Sequence, residues 1–267
     1  MTSSGRGTGY IHGYDPREVD RLVRQARTLA PWTLAGVAFP EGSRVLEVGC
    51  GVGAELALLS ERQPSLKLLG ADLAASQLAA ARAALGPRVP LLQARGERLP
   101  FPDHSLDGIF TCWLLEHVPD PAAVVAECRR VLKPGAAFHA REVDNASFRV
   151  HPESPAVDRF MEVVNRVQQG YGGDPFVGRR LHALLLEAGF GDVRVTLPAI
   201  YSDATSGALH RELCAYFHDL LASMVRPCVA AGLEPAVAEA ALAHLAGLST
   251  HSLGAVVHVP RFASAVA

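Results

Sequence analysis

The sequence is short of the features that mark several large classes of protein. Lysine and arginine number 25 against 27 acidic residues, the net charge is −2, and no stretch gathers the basic residues into a cluster. That argues against nucleic acid as a partner, because binding a phosphate backbone needs a concentrated positive face. No apolar run approaches the length that spans a bilayer, so no membrane is expected either. The N-terminal stretch MTSSGRGTGY lacks the apolar core of a secretory signal. The 5 cysteines, at 50, 112, 128, 214 and 228, form no C-x-x-C pair. An odd number without a framework predicts reduced thiols and a cytoplasmic setting. No internal repeat is visible. What is there, 267 residues of which 49% are hydrophobic and 19% charged, suffices for one sizeable domain with an insertion or cap.

The informative stretch is residues 44–53, RVLEVGCGVG. Val45, Leu46 and Val48 make a short apolar run. Gly49, Gly51 and Gly53 follow, and then an Ala/Leu-rich helical pattern, AELALLSER. Strand, glycine turn and helix open a nucleotide-binding βαβ unit. The glycines permit positive φ and close approach of backbone to a ligand. Glu47, still inside the strand, would repel a phosphate but suits a cationic ligand such as one carrying an ammonium and a sulfonium.

This stretch resembles the first motif of the class I S-adenosylmethionine-dependent methyltransferases. Further matches follow in order: GAD ending at Asp72, then LPFPDHSLDGIF over 99–110, LLEHVPDP over 114–121 and LKPGAAF over 132–138. A lone glycine motif is weak evidence, whereas this ordered set across 44–138 is strong. The plainer alternative is a Rossmann domain for another nucleotide. The resemblance implies an α/β fold: a Rossmann-like, seven-stranded, mostly parallel sheet with its last strand antiparallel and helices on both faces. It also implies S-adenosylmethionine as cofactor, with S-adenosylhomocysteine as product. Asp72 would accept both ribose hydroxyls. Tyr14, Glu47, Gly49, Gly51, Gly53, Leu73, Gly96, Glu97, Cys112 and Trp113 would complete the cofactor site. Arg95 stands where the family carries an Asp that accepts from the adenine amino group, and arginine has no acceptor. Adenine is then held by backbone at Gly96 and Glu97, by stacking, or by the Glu97 side chain.

Three segments lie outside the sheet: before residue 40, about 145–175 and about 204–248. In residues 1–40, Asp15-Pro16 reads as a helix start, with Val19, Leu22, Val23, Ala26 and Leu29 as its apolar stripe. In the family such a helix is a lid. Tyr10 and Tyr14 either touch cofactor or substrate or simply pack, and His117 either touches substrate or bonds within its loop. Ser76 is expected to cap a helix running to about Leu85. Strand five should deliver Glu142 and Asp144 to the mouth of the site, with His151 following; these are the candidate bases, and loop capping is the alternative for the two carboxylates. The segments around 142–151 and 172–190 resemble a small-molecule subgroup, in which Asn145 replaces a His. Residues 204–250 read as a helical cap inserted before a last strand over 256–266, with Phe217 as its candidate substrate contact. The remainder, 41–203 and 251–267, forms the cofactor-binding domain.

The expected function is methyl transfer to a small, largely apolar metabolite, without metal, plausibly in bacterial specialised metabolism. A homodimer fits the chain, whose oligomeric state the sequence leaves open. The competing reading, kept alive by Arg95, is a protein of the same fold that holds the cofactor without transferring methyl, as a cyclase or regulatory module.

Overall fold

The computed structural model describes residues 12–13 and 16–267. The sheet grows outward from β1 (Arg44–Val48), β2 (Lys67–Asp72) and β3 (Leu91–Gln93), then returns across β1 to β4 (Leu106–Cys112) and β5 (Leu132–Glu142). Two late strands, β7 (Gly191–Thr196) and β10 (Arg261–Val266), complete a seven-stranded sheet of order β3-β2-β1-β4-β5-β10-β7. β10 is antiparallel to both β5 and β7. The expected fold class is therefore the observed one. The strand order reverses between β1 and β4, and their carboxyl ends open the crevice where such sheets bind ligands.

Helices cover both faces because β1, β2 and β4 are buried along most of their length on both sides of the sheet. α2 (Ala54–Arg62) and α3 (Ala75–Leu85) follow β1 and β2, while α4 (Pro121–Val131) and α6 (Leu181–Glu187) precede β5 and β7. Asp120 caps α4, its side chain accepting from Ala123 N, with proline next in line. Ser76 does not cap α3. That helix begins at Ala75 with no side-chain cap, and Asp72 binds the Ala74 N–H instead.

A second apolar cluster lies beyond the carboxyl ends of the strands. It joins Leu29 of α1 (Pro16–Thr33) to α5 (Pro155–Gly170), α7 (Ala208–Ala230) and α8 (Pro235–Leu248). Beneath it sits a three-stranded sheet that the sequence reading missed: β6 (Arg149–His151), β9 (Ala255–His258) and β8 (Ile200–Asp203). The expected single strand over 256–266 is two strands in two sheets. Pro260 supplies no backbone N–H, and the chain changes sheet across Val259-Pro260. No described helix is long and apolar enough to cross a membrane.

Candidate active site

The turn after β1 is built on left-handed backbone: φ is +75° at Gly49, +49° at Gly51 and +76° at Gly53. A Cβ at Gly49 would stand 2.7 Å from Leu114 Cδ1, and one at Gly53 2.7 Å from Leu85 Cδ1. A Cβ at Gly51 would meet no protein atom within 4 Å, and Gly51 lines a cavity of ≈ 280 Å³. The turn is thus packed from behind and open in front. Asp72, ending β2, holds it: Oδ2 accepts from Gly51 N and Oδ1 from Ala74 N, both at 2.8 Å.

The cavity runs in two directions from this turn. One end is bounded by Asp72, Leu73, Arg95, Gly96 and Glu97. Arg95 Nη2 lies 3.5 Å from Glu97 Oε1, so the arginine pairs with the next carboxylate along. The other end is a chamber among α1, α5 and α7, walled by Leu29, Met161, Val164, Leu220, Met224 and Ile200. Cys112, at the end of β4, lines the cavity together with Trp113 and His117 just beyond it. Burial, and then the Glu55 and Glu47 carboxylates, push the Cys112 thiol up, so it is no nucleophile.

Glu47 and Gly53 sit behind the wall rather than on it. Glu47 is 1% exposed, and its Oε2 has no hydrogen-bond partner among the described residues. Burial, then Glu55 and Asp72, raise its pKa. Glu55, which the sequence reading passed over, is a further acidic group on the cavity wall, and burial pushes its carboxyl up to about 7. The available signal was position: a carboxylate in the first turn of the helix that follows a glycine turn. A buried carboxyl behind an open Gly51 and a half-buried one beside it, with a ribose-type acceptor at Asp72, fit a nucleoside with a cationic tail. They do not fit a pyrophosphate.

The three candidate bases are not on this wall. Glu142 is 0% exposed; Oε1 accepts from Leu114 N (3.2 Å) and Leu115 N (2.8 Å), and Oε2 from Glu116 N (3.3 Å). Burial, then Glu116, raise its pKa while those amides pull it back. Asp144 is held by Arg179 and by Arg261, whose Nη2 is 3.1 Å away. His151 is exposed on β6 and borders a shallow groove with Tyr201 and Leu253. Phe217 is also misplaced: it stacks on Phe148 at 4.6 Å, and its neighbour Tyr216 faces the cavity instead. Tyr10 and Tyr14 lie outside the described residues.

Glu142→Gln is accordingly expected to act on stability. It replaces one acceptor oxygen by an amide NH2, a donor facing buried N–H donors, at a cost of about 2–3 kcal/mol in denaturant unfolding. Turnover per folded molecule should stay within a few-fold. Lost turnover at unchanged stability would return Glu142 to the reaction.

Fold and site together define a Rossmann-like domain made to hold a nucleoside carrying positive charge. The chain belongs to the S-adenosylmethionine-dependent methyltransferase family. Residues 46–140 match the family model described as a methyltransferase domain. An O-methyltransferase of Penicillium expansum is 31% identical over 205 residues, 70% of this chain and 67% of that protein. A trans-aconitate 2-methyltransferase of Azoarcus sp. is 36% identical over 139 residues, 51% of this chain and 53% of its own. The chain spans little more than half the length of several curated relatives it matches, 57%, 53% and 55%. A phosphoethanolamine N-methyltransferase of Haemonchus contortus, solved with S-adenosylhomocysteine, shares the fold at 16% identity, with a TM-score of 0.57 over 97% of this chain and 60% of that one.

Proposed function

We propose that the protein transfers the methyl group of S-adenosylmethionine to a small, largely apolar acceptor. The observation that carries this reading is the single cavity joining the Asp72 and Glu97 end to the apolar chamber. When bound, the cofactor supplies a methyl already activated on a sulfonium, so no protein nucleophile is required. The chain's own part is to hold and orient. Asp72 accepts from the ribose hydroxyls, Gly96 and Glu97 border the adenine, and Glu55 with Glu47 behind it faces the cationic tail. α1 serves as a lid and the α7–α8 hairpin as a cap, which together exclude water and hold the acceptor in line. Relatedness to an O-methyltransferase supports the small-molecule reading, with specialised metabolism as its setting. The test is calorimetry with S-adenosylmethionine, followed by labelled-methyl transfer to a panel of phenols, indoles and amines. No binding of the cofactor would overturn the proposal. Binding with no transfer across the panel would favour a non-transferring member of the fold.

The state of Glu55 gives this reading a pH signature. An acid near 7 is about half protonated at neutral pH. A cationic ligand favours the ionised form and draws that pKa down, so binding releases protons. Affinity should rise with pH up to about 7 and level off above it. Calorimetry in buffers of different ionisation enthalpy measures the release, and Glu55→Gln should abolish it. An affinity constant from about pH 5.5 to about 8.5 would refute the pairing.

A further inference from the structure

The geometry points to His258, through its Nε2, as the base that takes the proton from a hydroxyl-bearing acceptor held in the apolar chamber. This rests on the methyl-transfer reading and adds to it the acceptor chemistry, an O–H group on an apolar body.

His258 closes β9, paired with Ile200 of β8, and its imidazole forms part of the chamber wall. Nδ1 lies 3.1 Å from Ser147 Oγ. That hydroxyl accepts from Val259 N at 2.9 Å and lies 2.7 Å from the Asp144 carbonyl. Ser147 has one proton to give, and the short contact to the carbonyl takes it. The imidazole therefore carries its own proton on Nδ1 and donates to Oγ, which leaves the lone pair on Nε2. Nε2 makes no hydrogen bond among the described residues, and it is not among the buried side-chain atoms that lack both a partner and access to open space. His258 lines the cavity, and we assign Nε2 as the ring atom turned to it.

The surroundings suit the task. Ile200, Val164, Met161 and Met224 offer only carbon and sulfur to the apolar body of an acceptor, while Asn145, Gln168 and Tyr216 are polar groups of the same cavity. The charged groups about the ring are Asp144, which favours the cation, and Arg261, which opposes it. From α7 it meets the Phe217 ring, 6.3 Å away. Burial, the largest influence, holds the imidazole down to about 4, so it is neutral throughout the physiological range. A weak base is sufficient because the acceptor oxygen becomes strongly acidic as it is methylated. An oxygen lone pair forms the new C–O bond as the sulfonium C–S bond breaks, leaving its electrons on sulfur. The O–H proton passes to Nε2. The products are a methyl ether, a neutral thioether and an imidazolium, which returns its proton to water when the chamber opens.

His258→Asn keeps a donor towards Ser147 and removes the atom facing the chamber. With 2-naphthol as acceptor, kcat should fall by about a hundredfold, with cofactor affinity and melting temperature unchanged. With 4-nitrophenol, largely ionised at mildly alkaline pH, the loss should nearly vanish. A readout that needs no turnover is ¹⁵N NMR of histidine-labelled protein loaded with S-adenosylhomocysteine. There, 2-naphthol should shift the Nε2 resonance that is absent from the variant. A variant as fast as the native protein, an equal loss with both phenols, or an Nε2 signal unmoved by millimolar naphthol would overturn the role of His258. Failure of the native protein to bind S-adenosylmethionine would overturn the underlying reading instead.

Discussion

Asp72→Ala is expected to weaken S-adenosylmethionine binding by about a hundredfold or more while the chain stays folded. The carboxylate has two tasks, and alanine loses both. Its oxygens accept from Gly51 N and Ala74 N at 2.8 Å, which fixes the glycine turn against the start of α3. Each oxygen has lone pairs left for the ribose hydroxyls on the cavity side. Burial raises its pKa while the amides of Ala74, Gly51 and Leu73 pull it back down. Loss of a charge-assisted acceptor costs about 1.5–3 kcal/mol. The loosened turn adds to that, since an unheld Gly51 must be ordered again on binding. Asp72→Asn, which keeps the shape but turns one oxygen into a donor, should fall between the two. Calorimetry on folded variants decides the matter: an alanine variant that binds as well as the native protein would remove Asp72 from the ribose site.

Asp72 and the glycines were legible in the sequence because their roles are local. A turn that needs positive φ at Gly49, Gly51 and Gly53 writes itself into a few adjacent letters. So does a carboxylate that ends the next strand. Glu142 was read correctly as the end of β5 and wrongly as a group open to the site. Strand alternation gives the face a side chain takes, but not the amides that meet it there, which come from residues 26–28 positions earlier. Phe217 failed for a related reason. α7 packs against α1, α5, α8 and the small sheet at once, so no single apolar stripe tells its cavity side from its core side. His258 was hidden inside a strand that Pro260 divides between two sheets. Its use depends on Ser147, which lies 111 residues away in sequence.

Arg141 shows the same non-local logic and carries the largest expected effect on stability. It lies on β5 between Cys112 of β4 and Phe262 of β10, and is 3% exposed. Its hydrogen bonds go to backbone carbonyls rather than to a carboxylate. Nε donates to Thr33 O at 2.7 Å and Nη2 to Ala35 O at 3.1 Å, while Nη1 reaches Ala140 O and Ala263 O at 3.1 and 3.2 Å. Thr33 ends α1, so the cation meets the negative end of that helix and satisfies carbonyls that lack intrahelical partners. The guanidinium also lies 4.7 Å over the Phe262 ring. Burial lowers its pKa to about 10, which still leaves it charged at neutral pH. Arg141→Met keeps the volume and orphans the two carbonyls at the end of α1, at about 1–3 kcal/mol each. The lost cation–π contact adds about 1–2 kcal/mol, and relief from burying a charge offsets part of the total. The net expectation is about 3 kcal/mol, or a melting temperature lower by about 6–12 °C. Arg141→Lys should not restore it, because one ammonium cannot span carbonyls on α1, β5 and β10 together. α1 also carries Leu22, Gln25 and Leu29 on the cavity wall, so its loosened end should raise the acceptor KM more than it lowers kcat. Equilibrium unfolding and steady-state kinetics on the same preparation test both halves. An Arg141→Met protein with the native midpoint and native KM would show that α1 is anchored to the sheet by other contacts.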